Sequence, residues 1–374
     1  MFENLTTRKI VELTPYIPGK PIEEVQREYK IPAVIKLASN ENPLGPSPRA
    51  LEGMRKILAE IHRYPDASCY YLKEKLAKNL NVQPKQLIIG NGSHEVMTLL
   101  VRTFVRREQE VITAEKAFVI YKLLTLVHDG VIVEVPQTPS GTFDLEKIAA
   151  KVTSNTRLIF IANPNNPTGT YVPTEQVIDL LKFTQGKNLL VILDEAYHEF
   201  AVAPDYPNGL ELLHQFPHLV VLRTFSKAYR LAGLRVGYGI GHSDVIHYLH
   251  QVKDTFNVNA MAQMAAMMTL DDKEHLRKSI QLVHEGVHYF CERFTELGLK
   301  YWPSEGNFVT VDIGRDTMPV NRRLMQEGVI LRPLHSYNLP THFRVTAGLP
   351  DENRRAIKTL KMVLEEVAKR RAVL

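Results

Sequence analysis

Residues 224–230 read Thr-Phe-Ser-Lys-Ala-Tyr-Arg, and Arg235 follows eight residues after Lys227. The apolar run 219–222 directly before this stretch predicts a buried strand, which places Lys227 where a strand ends and a loop begins. Ligands of open parallel sheets bind at such strand ends. A lysine that forms a Schiff base must lose its proton near neutral pH. That requires partial desolvation and a nearby positive charge, which Arg235 can supply.

The same stretch carries groups that suit an anion. The hydroxyls of Thr224 and Ser226, with the forked cation of Arg235, match the needs of a phosphate dianion. The alternative interpretation of these residues is a polar strand-to-helix loop with a solvated lysine.

The composition is that of a globular protein. Of its 374 residues, 44% are hydrophobic and 23% charged, so the chain can bury a sizeable core in two or three domains. The 46 basic and 41 acidic residues are scattered along the chain. The net charge of +5 suits binding of anionic small molecules and does not specifically indicate binding of nucleic acid.

Cys69 and Cys291 are the only cysteines and lack metal-ligand neighbours, which favours free thiols in a reducing compartment. Because we find no leader peptide and no membrane-length apolar run, we expect a cytoplasmic protein.

Short apolar runs alternate with helical stretches through the middle of the chain. This alternation predicts an α/β fold with a mainly parallel sheet and helices on both faces. The candidate strands are 87–89, 110–113, 131–135, 157–162, 189–193, 219–222 and 236–240. A proline-rich stretch precedes them, and long helices with further strands follow. We therefore expect an N-terminal arm over 1–35, a large α/β domain over 36–265 and a small α+β domain over 266–374.

Polar residues follow several of these predicted strands. Residues 90–93, Gly-Asn-Gly-Ser, let the backbone approach a ligand closely, and Ser93 is expected to cap the next helix. Residues 163–169 hold asparagine amides between prolines at the sheet edge. Asp194 ends a buried strand, where a carboxylate is costly unless it meets a cation or a proton donor such as a pyridinium nitrogen. The alternatives are turns without a ligand for the two loops and a helix cap for Asp194.

Aromatic and arginine residues complete the candidates. Phe118 follows the second strand, where its ring can stack on a flat cofactor or pack in the core. Tyr64 precedes a proline, which holds it extended with its phenol free to project. Arg332 and Arg344 end apolar runs, a placement that suits capture of a carboxylate or phosphate, or an internal salt bridge.

Together these motifs resemble those of the fold-type I aminotransferases that use pyridoxal 5′-phosphate, and most closely the histidinol-phosphate aminotransferases. The resemblance extends over nearly the whole chain. It rests on Ala-Ser-Asn-Glu-Asn-Pro at 38–43, Arg-Tyr-Pro at 63–65, Gly-Asn-Gly-Ser at 90–93, Asn-Asn-Pro-Thr-Gly at 165–169, Asp-Glu-Ala-Tyr at 194–197, Ser-Lys at 226–227 with Arg235, and Phe-Arg-Val-Thr at 343–346. The implied fold is a large domain around a mainly parallel seven-stranded sheet, with a smaller α+β domain.

The resemblance implies a role for each matching residue. Lys227 would form the Schiff base and move a proton between the substrate α-carbon and the cofactor C4′, while Asp194 would keep the ring nitrogen protonated. Asn166 and Tyr197 would bond the ring 3-oxygen, and Phe118 would stack on the ring. The cofactor phosphate would lie among Gly92, Ser93, His94, Thr224, Ser226 and Arg235. The substrate would meet Tyr16, Asn42, Arg332 and Arg344.

The resemblance also implies a homodimer in which Tyr64 reaches the neighbouring subunit's cofactor phosphate. Two positions depart from the family pattern. His94 replaces an acidic residue, which changes the local charge and helix capping. Lys116 and Ala117 replace a proline-threonine pair before Phe118, which changes the setting of that ring.

The implied activity is amino-group transfer between L-histidinol phosphate and 2-oxoglutarate, giving imidazole-acetol phosphate and glutamate, in histidine biosynthesis. An aromatic amino acid aminotransferase and a threonine-phosphate decarboxylase are alternatives within the family. A cofactor-binding regulator without turnover is the alternative from another class. Such regulators usually carry a DNA-binding segment ahead of the fold, whereas the arm seen here is short.

Overall fold

The computed structural model describes residues 2, 5–15 and 19–372, with side chains up to residue 369. Within these ranges the strands are β1 (Ile35–Lys36), β2 (Leu87–Gly90), β3 (Glu110–Ala114), β4 (Val131–Val135), β5 (Thr156–Ala162), β6 (Leu190–Asp194), β7 (Leu219–Thr224), β8 (Gly237–Gly241), β9 (Lys300–Trp302), β10 (Phe308–Asp312), β11 (Val329–Ile330), β12 (Arg332–Leu334) and β13 (Leu339–Thr346).

Helices connect and cover these strands. They are α1 (Arg8–Val11), α2 (Ile22–Tyr29), α3 (Pro48–Ile57), α4 (Tyr70–Leu80), α5 (Ser93–Phe104), α6 (Ile120–Val127), α7 (Leu145–Ala150), α8 (Thr174–Thr184), α9 (Gly209–Leu213), α10 (Ser243–Val252), α11 (Ala260–Thr269), α12 (Lys273–Glu296), α13 (Thr317–Gln326) and α14 (Pro350–Ala372).

Seven strands form the central sheet, in the order β2-β8-β7-β6-β5-β3-β4. All neighbours are parallel except β8, which runs antiparallel to β2 and β7. The middle strands are apolar on both faces, as in Val191, Ile192 and Leu193, because helices cover both sides of such a sheet. The mainly parallel seven-stranded sheet expected from the sequence is confirmed. Each predicted strand lies within about two residues of its observed bounds, the usual disagreement at element ends.

A second sheet forms near the C-terminus. Its four strands, in the order β12-β13-β10-β9, are antiparallel, and a separate parallel pair joins β1 to β11. Its hydrophobic cluster contains Phe290 and Phe294 of α12 and Val311 of β10, and is distinct from the cluster around the central sheet. Ile35 and Leu37 belong to this C-terminal cluster, so the chain after the arm packs first against the C-terminal block. The domain boundaries at 35 and 265 stay a prediction.

The N-terminal arm lies across other parts of the molecule. Lys9 Nζ in α1 donates to Asp129 O at 2.8 Å, next to β4. In α2, Val25 is fully buried in a small cluster with Met325 and Ile330. The arm therefore depends on apolar contacts with the rest of the protein, because it cannot form a hydrophobic core of its own.

Three further features bear on function. No helix in the described ranges is both long enough and apolar enough to cross a bilayer. Among these same residues, no three His, Cys, Asp or Glu side chains are grouped so that they could hold a metal ion. Cys69 and Cys291 are free thiols.

Candidate active site

The carboxyl ends of three adjacent parallel strands meet at one edge of the central sheet. β5 leads into loop 163–169, β6 ends at Asp194, and β7 ends three residues before Lys227. The register pairs Ala162 with Asp194 and Asp194 with Leu222, so the three ends lie side by side. A cavity of about 400 Å³ opens there, at the position where ligands of parallel sheets bind.

Most of the residues predicted to bind cofactor or substrate line this cavity. They are Ser93, His94, Phe118, Asn166, Asp194, Tyr197, Thr224, Ser226, Lys227, Arg235 and Arg344. Asn40, Met97, Ile120 and Tyr121 also line it and were not predicted to do so. The site therefore gathers side chains from both sheets, although the sequence separates them by up to about three hundred residues.

The Lys227 amine lies in this cavity. Its side chain is half-buried, its Nζ donates to Asn40 O at 3.3 Å, and the same nitrogen lies 5.5 Å from the centre of the Tyr197 ring. The amine is thus held at a defined place on the cavity wall. Once deprotonated, a lysine placed in this way can attack a bound carbonyl group.

Asp194 is buried at the floor of the cavity. Burial raises the pKa of Asp194 to about 6, although the Tyr121 hydroxyl and the Ala196 amide oppose this shift. Tyr121 donates to Oδ2 at 2.6 Å and Ala196 N donates to Oδ1 at 3.2 Å. A bound ligand that placed a positively charged N–H beside this carboxyl group would lower the pKa of Asp194 and stabilise its ionised form.

The carboxylate that follows Asp194 in sequence is neutralised inside the protein. Glu195 Oε2 accepts from Arg223 Nε at 2.8 Å and lies 2.8 Å from Arg223 Nη2, with both side chains buried. The Gly209 amide donates to Glu195 Oε1 at 3.1 Å. This fully bonded pair limits the repulsion that Glu195 exerts on Asp194.

Asn40 joins Tyr197 to the C-terminal sheet. Its Nδ2 donates to the Tyr197 hydroxyl at 2.8 Å. The backbone amide of Asn40 donates to Thr346 Oγ1 at 3.0 Å, and Asn40 Oδ1 accepts from the Thr346 hydroxyl at 3.1 Å. Asn40 is 1% exposed and has a left-handed backbone, with φ of 53°. These bonds fix the direction of the Tyr197 phenol.

Arg344 is held rigidly at the opposite wall. Its Nη1 donates to Asn166 Oδ1 at 2.6 Å and its Nη2 donates to Ala38 O at 2.7 Å. The side chain is buried beside the Phe308 ring, with the guanidinium carbon 5.4 Å from the ring centre. A guanidinium fixed in this way suits two-point capture of a carboxylate.

Loop 163–169 is tied to the C-terminal sheet. Thr310 Oγ1 of β10 donates to Pro167 O at 2.5 Å, and Glu305 N donates to Gly169 O at 2.9 Å. Gly169 has φ of 82°, and a Cβ there would lie 2.3 Å from Ser304 Oγ. The close approach of these two segments therefore needs glycine, and it sets the position of Asn166.

The first turn of α5 forms an anion cradle. Gly92 is the N-cap residue, with φ of 79°, and a Cβ on it would lie 2.5 Å from Arg235 Nη2. Ser93 is the first residue of the helix, so the expectation that its side chain caps α5 is wrong. The first amides of a helix have no partner within the helix, and Ser93 and His94 of this turn line the cavity, as an anion site requires.

The last residue of β7 and residues after it complete this cradle. Thr224 Oγ1 accepts from Ser226 N at 3.1 Å, and Arg235 Nη1 donates to Ser226 Oγ at 3.3 Å. Burial and the charge of Arg235 lower the pKa of His94, which favours its neutral imidazole. The cradle's positive charge thus comes from Arg235 and the helix amides.

Phe118 lies at the side of the cavity, half-buried. Its ring meets the Tyr121 ring edge-on, with centroids 5.8 Å apart and planes at 88°. The replacement of the usual proline-threonine pair before it does not remove the ring from the cavity. Its stacking on a cofactor stays a prediction.

Three of the predicted residues within the described ranges, Asn42, Tyr64 and Arg332, are not among those that line the cavity. Asn42 Nδ2 donates to Ser279 Oγ at 2.6 Å, so the structure places Asn40, not Asn42, on the cavity wall. Tyr64 is 81% exposed. Arg332 is buried on β12, directly opposite Arg344 of β13. Tyr16 lies outside the described residues.

The chain matches a known family over most of its length. The sequence model described as "Aminotransferase class I and II" matches residues 32–360. A histidinol-phosphate aminotransferase of Anaeromyxobacter sp. (strain Fw109-5) is 44% identical, with 95% of this chain and 98% of that protein aligned. One from Moorella thermoacetica is 45% identical, over 95% of this chain and 92% of that protein.

A solved structure has the same fold. The crystal structure of histidinol-phosphate aminotransferase from Sinorhizobium meliloti, in complex with pyridoxal-5′-phosphate, superimposes with a TM-score of 0.88 at 27% identity. The comparison covers 96% of this chain and 98% of that one. With the family match and these two close relatives, the chain belongs to the class I and II aminotransferases.

Proposed function

We propose that the protein is a pyridoxal-phosphate-dependent histidinol-phosphate aminotransferase of histidine biosynthesis. It would move the amino group of L-histidinol phosphate to 2-oxoglutarate, giving imidazole-acetol phosphate and glutamate, and catalyse the reverse reaction. The observation that carries this proposal is one cavity in which Lys227, Asp194 and Arg344 converge, in a chain 43–45% identical to several proteins of that name.

The residues present fit pyridoxal phosphate. The amides at the start of α5, Ser226 and Arg235 suit the phosphate, and the buried Asp194 carboxyl group needs a proton donor such as a ring N–H. Lys227 supplies the amine for the aldehyde. When bound, this cofactor supplies an electron-accepting ring that stabilises negative charge at the substrate α-carbon.

The side chains then have separate tasks. Lys227 Nζ, once released by the incoming amine, would carry a proton between the substrate α-carbon and C4′ of the cofactor. Asp194 would accept a hydrogen bond from the ring nitrogen. Asn166 and Tyr197, already oriented by Arg344 and Asn40, would bond the 3-oxygen.

Two arginines support anionic substrates. Arg332 and Arg344 are direct partners on adjacent antiparallel strands, so their side chains leave the same face of the sheet. Both side chains are buried, at 9% and 5% exposure. In the proposal Arg344 binds the carboxylate of glutamate or 2-oxoglutarate, and Arg332 lies toward the phosphate of histidinol phosphate.

An exposed aromatic surface supports a homodimer. Tyr64 stacks on Phe256 with centroids 4.5 Å apart, and both rings are exposed. Tyr70 and Tyr71 are also exposed and pack edge-on at 5.3 Å. Clustered exposed rings of this kind are typical of protein interfaces. In the proposal a second copy covers them, Tyr64 enters its site, and the enzyme works in the cytoplasm.

A parallel assay tests the proposal. Glutamate formation from 2-oxoglutarate is measured with histidinol phosphate, phenylalanine and tyrosine as donors, and carbon dioxide release is measured with threonine phosphate. The highest kcat/KM is expected with histidinol phosphate. A preference for an aromatic amino acid, or release of carbon dioxide, would transfer the assignment to the corresponding alternative.

The lysine provides the second arm of this test. Lys227→Ala is expected to abolish turnover and the absorbance of lysine-bound cofactor, because no other lysine is among the described residues that line the cavity. Lys187→Ala is the matched control, since Lys187 lies on the surface over the Phe183 ring. A Lys227→Ala protein that keeps both properties, or a wild-type protein that binds no pyridoxal phosphate, overturns the proposal.

A further inference from the structure

Tyr121 lines the cavity next to Asp194 and contacts it. Its side chain is fully buried, and its hydroxyl donates to Asp194 Oδ2 at 2.6 Å. A Tyr–carboxylate bond of this length is a strong one, because the acceptor is charged and water is excluded.

The position of this hydroxyl is fixed by packing. The Tyr121 ring stacks on Phe160 of β5, with centroids 4.6 Å apart and planes within 7°. The Phe118 ring meets the Tyr121 ring edge-on. At the backbone, Tyr121 O accepts from Thr125 Oγ1 at 2.7 Å in the next turn of α6. The phenol therefore cannot turn away from Asp194 without disturbing the core.

Asp194 depends on donors of this kind. Desolvation disfavours its charged form, and the Tyr121 hydroxyl is the strongest of the groups that oppose desolvation. The second donor, Ala196 N, is longer, at 3.2 Å, and reaches the other oxygen. Removing the phenolic hydroxyl would leave Oδ2 buried without that donor.

We propose that Tyr121 is a positioning residue, which keeps Asp194 ionised and aims its carboxylate at the cofactor ring nitrogen. The inference rests on the proposed pyridoxal phosphate chemistry. It differs from a packing role because a packing residue acts through its ring, whereas this role belongs to one hydroxyl. Tyr121→Phe separates the two, since phenylalanine keeps the ring and its contacts with Phe160 and Phe118.

A matched control exists on the surface. Tyr171 OH donates to Asp205 Oδ1, also at 2.6 Å, away from the cavity. Tyr171→Phe thus removes a Tyr–Asp bond of equal length without touching Asp194. Both variants are purified as full chains, stripped of cofactor, and checked by thermal unfolding.

The first measurement is binding of pyridoxal phosphate to the stripped proteins. Tyr121→Phe is expected to raise Kd about tenfold, which corresponds to about 1.4 kcal/mol, and Tyr171→Phe to leave it unchanged. In the reloaded enzymes, kcat is expected to fall in Tyr121→Phe while KM for 2-oxoglutarate stays constant, because Arg344 is untouched.

The second measurement is a pH titration of the bound-cofactor absorbance. A weaker Asp194 charge makes the ring less positive, so the lysine-linked nitrogen keeps its proton to higher pH and the midpoint rises in Tyr121→Phe. A midpoint and Kd equal to those of the wild type would overturn the inference. In that outcome the wild-type protein still binds its cofactor, so the proposed function stands.

A double-mutant cycle separates an effect of the hydroxyl through Asp194 from a loss of packing in Tyr121→Phe. The cofactor Kd is measured for Asp194→Asn alone and combined with Tyr121→Phe. If the hydroxyl acts through Asp194, adding Tyr121→Phe to Asp194→Asn changes Kd much less than it does in the wild type. Additive losses would show that Tyr121 acts by packing and would overturn the inference.

Discussion

Asn40 connects Tyr197 to Lys227: its side chain donates to the Tyr197 hydroxyl at 2.8 Å, and its carbonyl oxygen accepts from Lys227 Nζ at 3.3 Å. Its left-handed backbone makes both contacts possible from one residue.

Asn40→Gly is expected to lower the free energy of unfolding by about 1–3 kcal/mol, because the buried Tyr197 hydroxyl loses its donor. Asn40→Ala should cost about 1 kcal/mol more, because alanine is strained at positive φ. Urea denaturation measures both, and an alanine variant more stable than the glycine variant would contradict this account.

Arg344 is expected to discriminate between the two substrates. Histidinol phosphate has no carboxylate, whereas 2-oxoglutarate has two. Arg344→Lys, which loses two-point bonding, should raise KM for 2-oxoglutarate about 10- to 100-fold and change KM for histidinol phosphate by less than about twofold. Steady-state kinetics with each substrate varied in turn measures this. Arg332→Lys is the matched control with the reverse pattern, and equal effects on both substrates would refute the assignment.

Asp194 makes the stability of the cofactor-free protein depend on pH. Burial raises its pKa from 3.8 in the unfolded chain to about 6 in the folded protein. The folded state therefore binds this proton more tightly, and the associated stability is lost as pH rises from about 4 through about 6. Asp194→Asn removes this loss. The free energy of unfolding of Asp194→Asn, relative to that of the wild type, should therefore rise by up to about 3 kcal/mol across that pH range. Urea denaturation of both proteins at several pH values measures the difference, and a constant difference would contradict it.

Complementation tests whether Tyr64 serves the neighbouring subunit. Tyr64→Ala and Lys227→Ala proteins, each inactive or weakly active alone, are mixed and allowed to exchange subunits. If Tyr64 acts across a dimer, each mixed dimer has one site with both wild-type residues, and activity should recover to about one quarter of the wild-type value. No recovery, despite mixed dimers in native mass spectrometry, would show that Tyr64 acts within its own subunit.

The sequence alone predicted the large sheet and the residues at its edge. Apolar runs followed by polar residues mark β5, β6 and β7, and parallel strands must bring their carboxyl ends together. That rule places Asn166, Asp194 and Lys227 in one cavity without further information. Their convergence there is confirmed, and their catalytic roles stay predictions.

Other parts of the site depend on contacts that no local pattern encodes. Asn40 and Asn42 are equivalent in sequence, and only the left-handed turn and the distant Thr346 decide which one faces the cavity. Tyr121 was missed because a tyrosine on an apolar helix usually packs. Its one available signal was its position three residues after Phe118, on the same face of the chain.

The fastening of loop 163–169 to the C-terminal sheet restricts how the enzyme can respond to a ligand. Thr310 and Glu305 hold the loop from one side, while Arg344 holds Asn166 from the same sheet. A hinge rotation of β10 and β13 would therefore drag the amide of Asn166 along with it. In the proposed site, where Asn166 bonds the ring 3-oxygen, binding of a carboxylate by Arg344 and a change in electron density at that oxygen would then occur together.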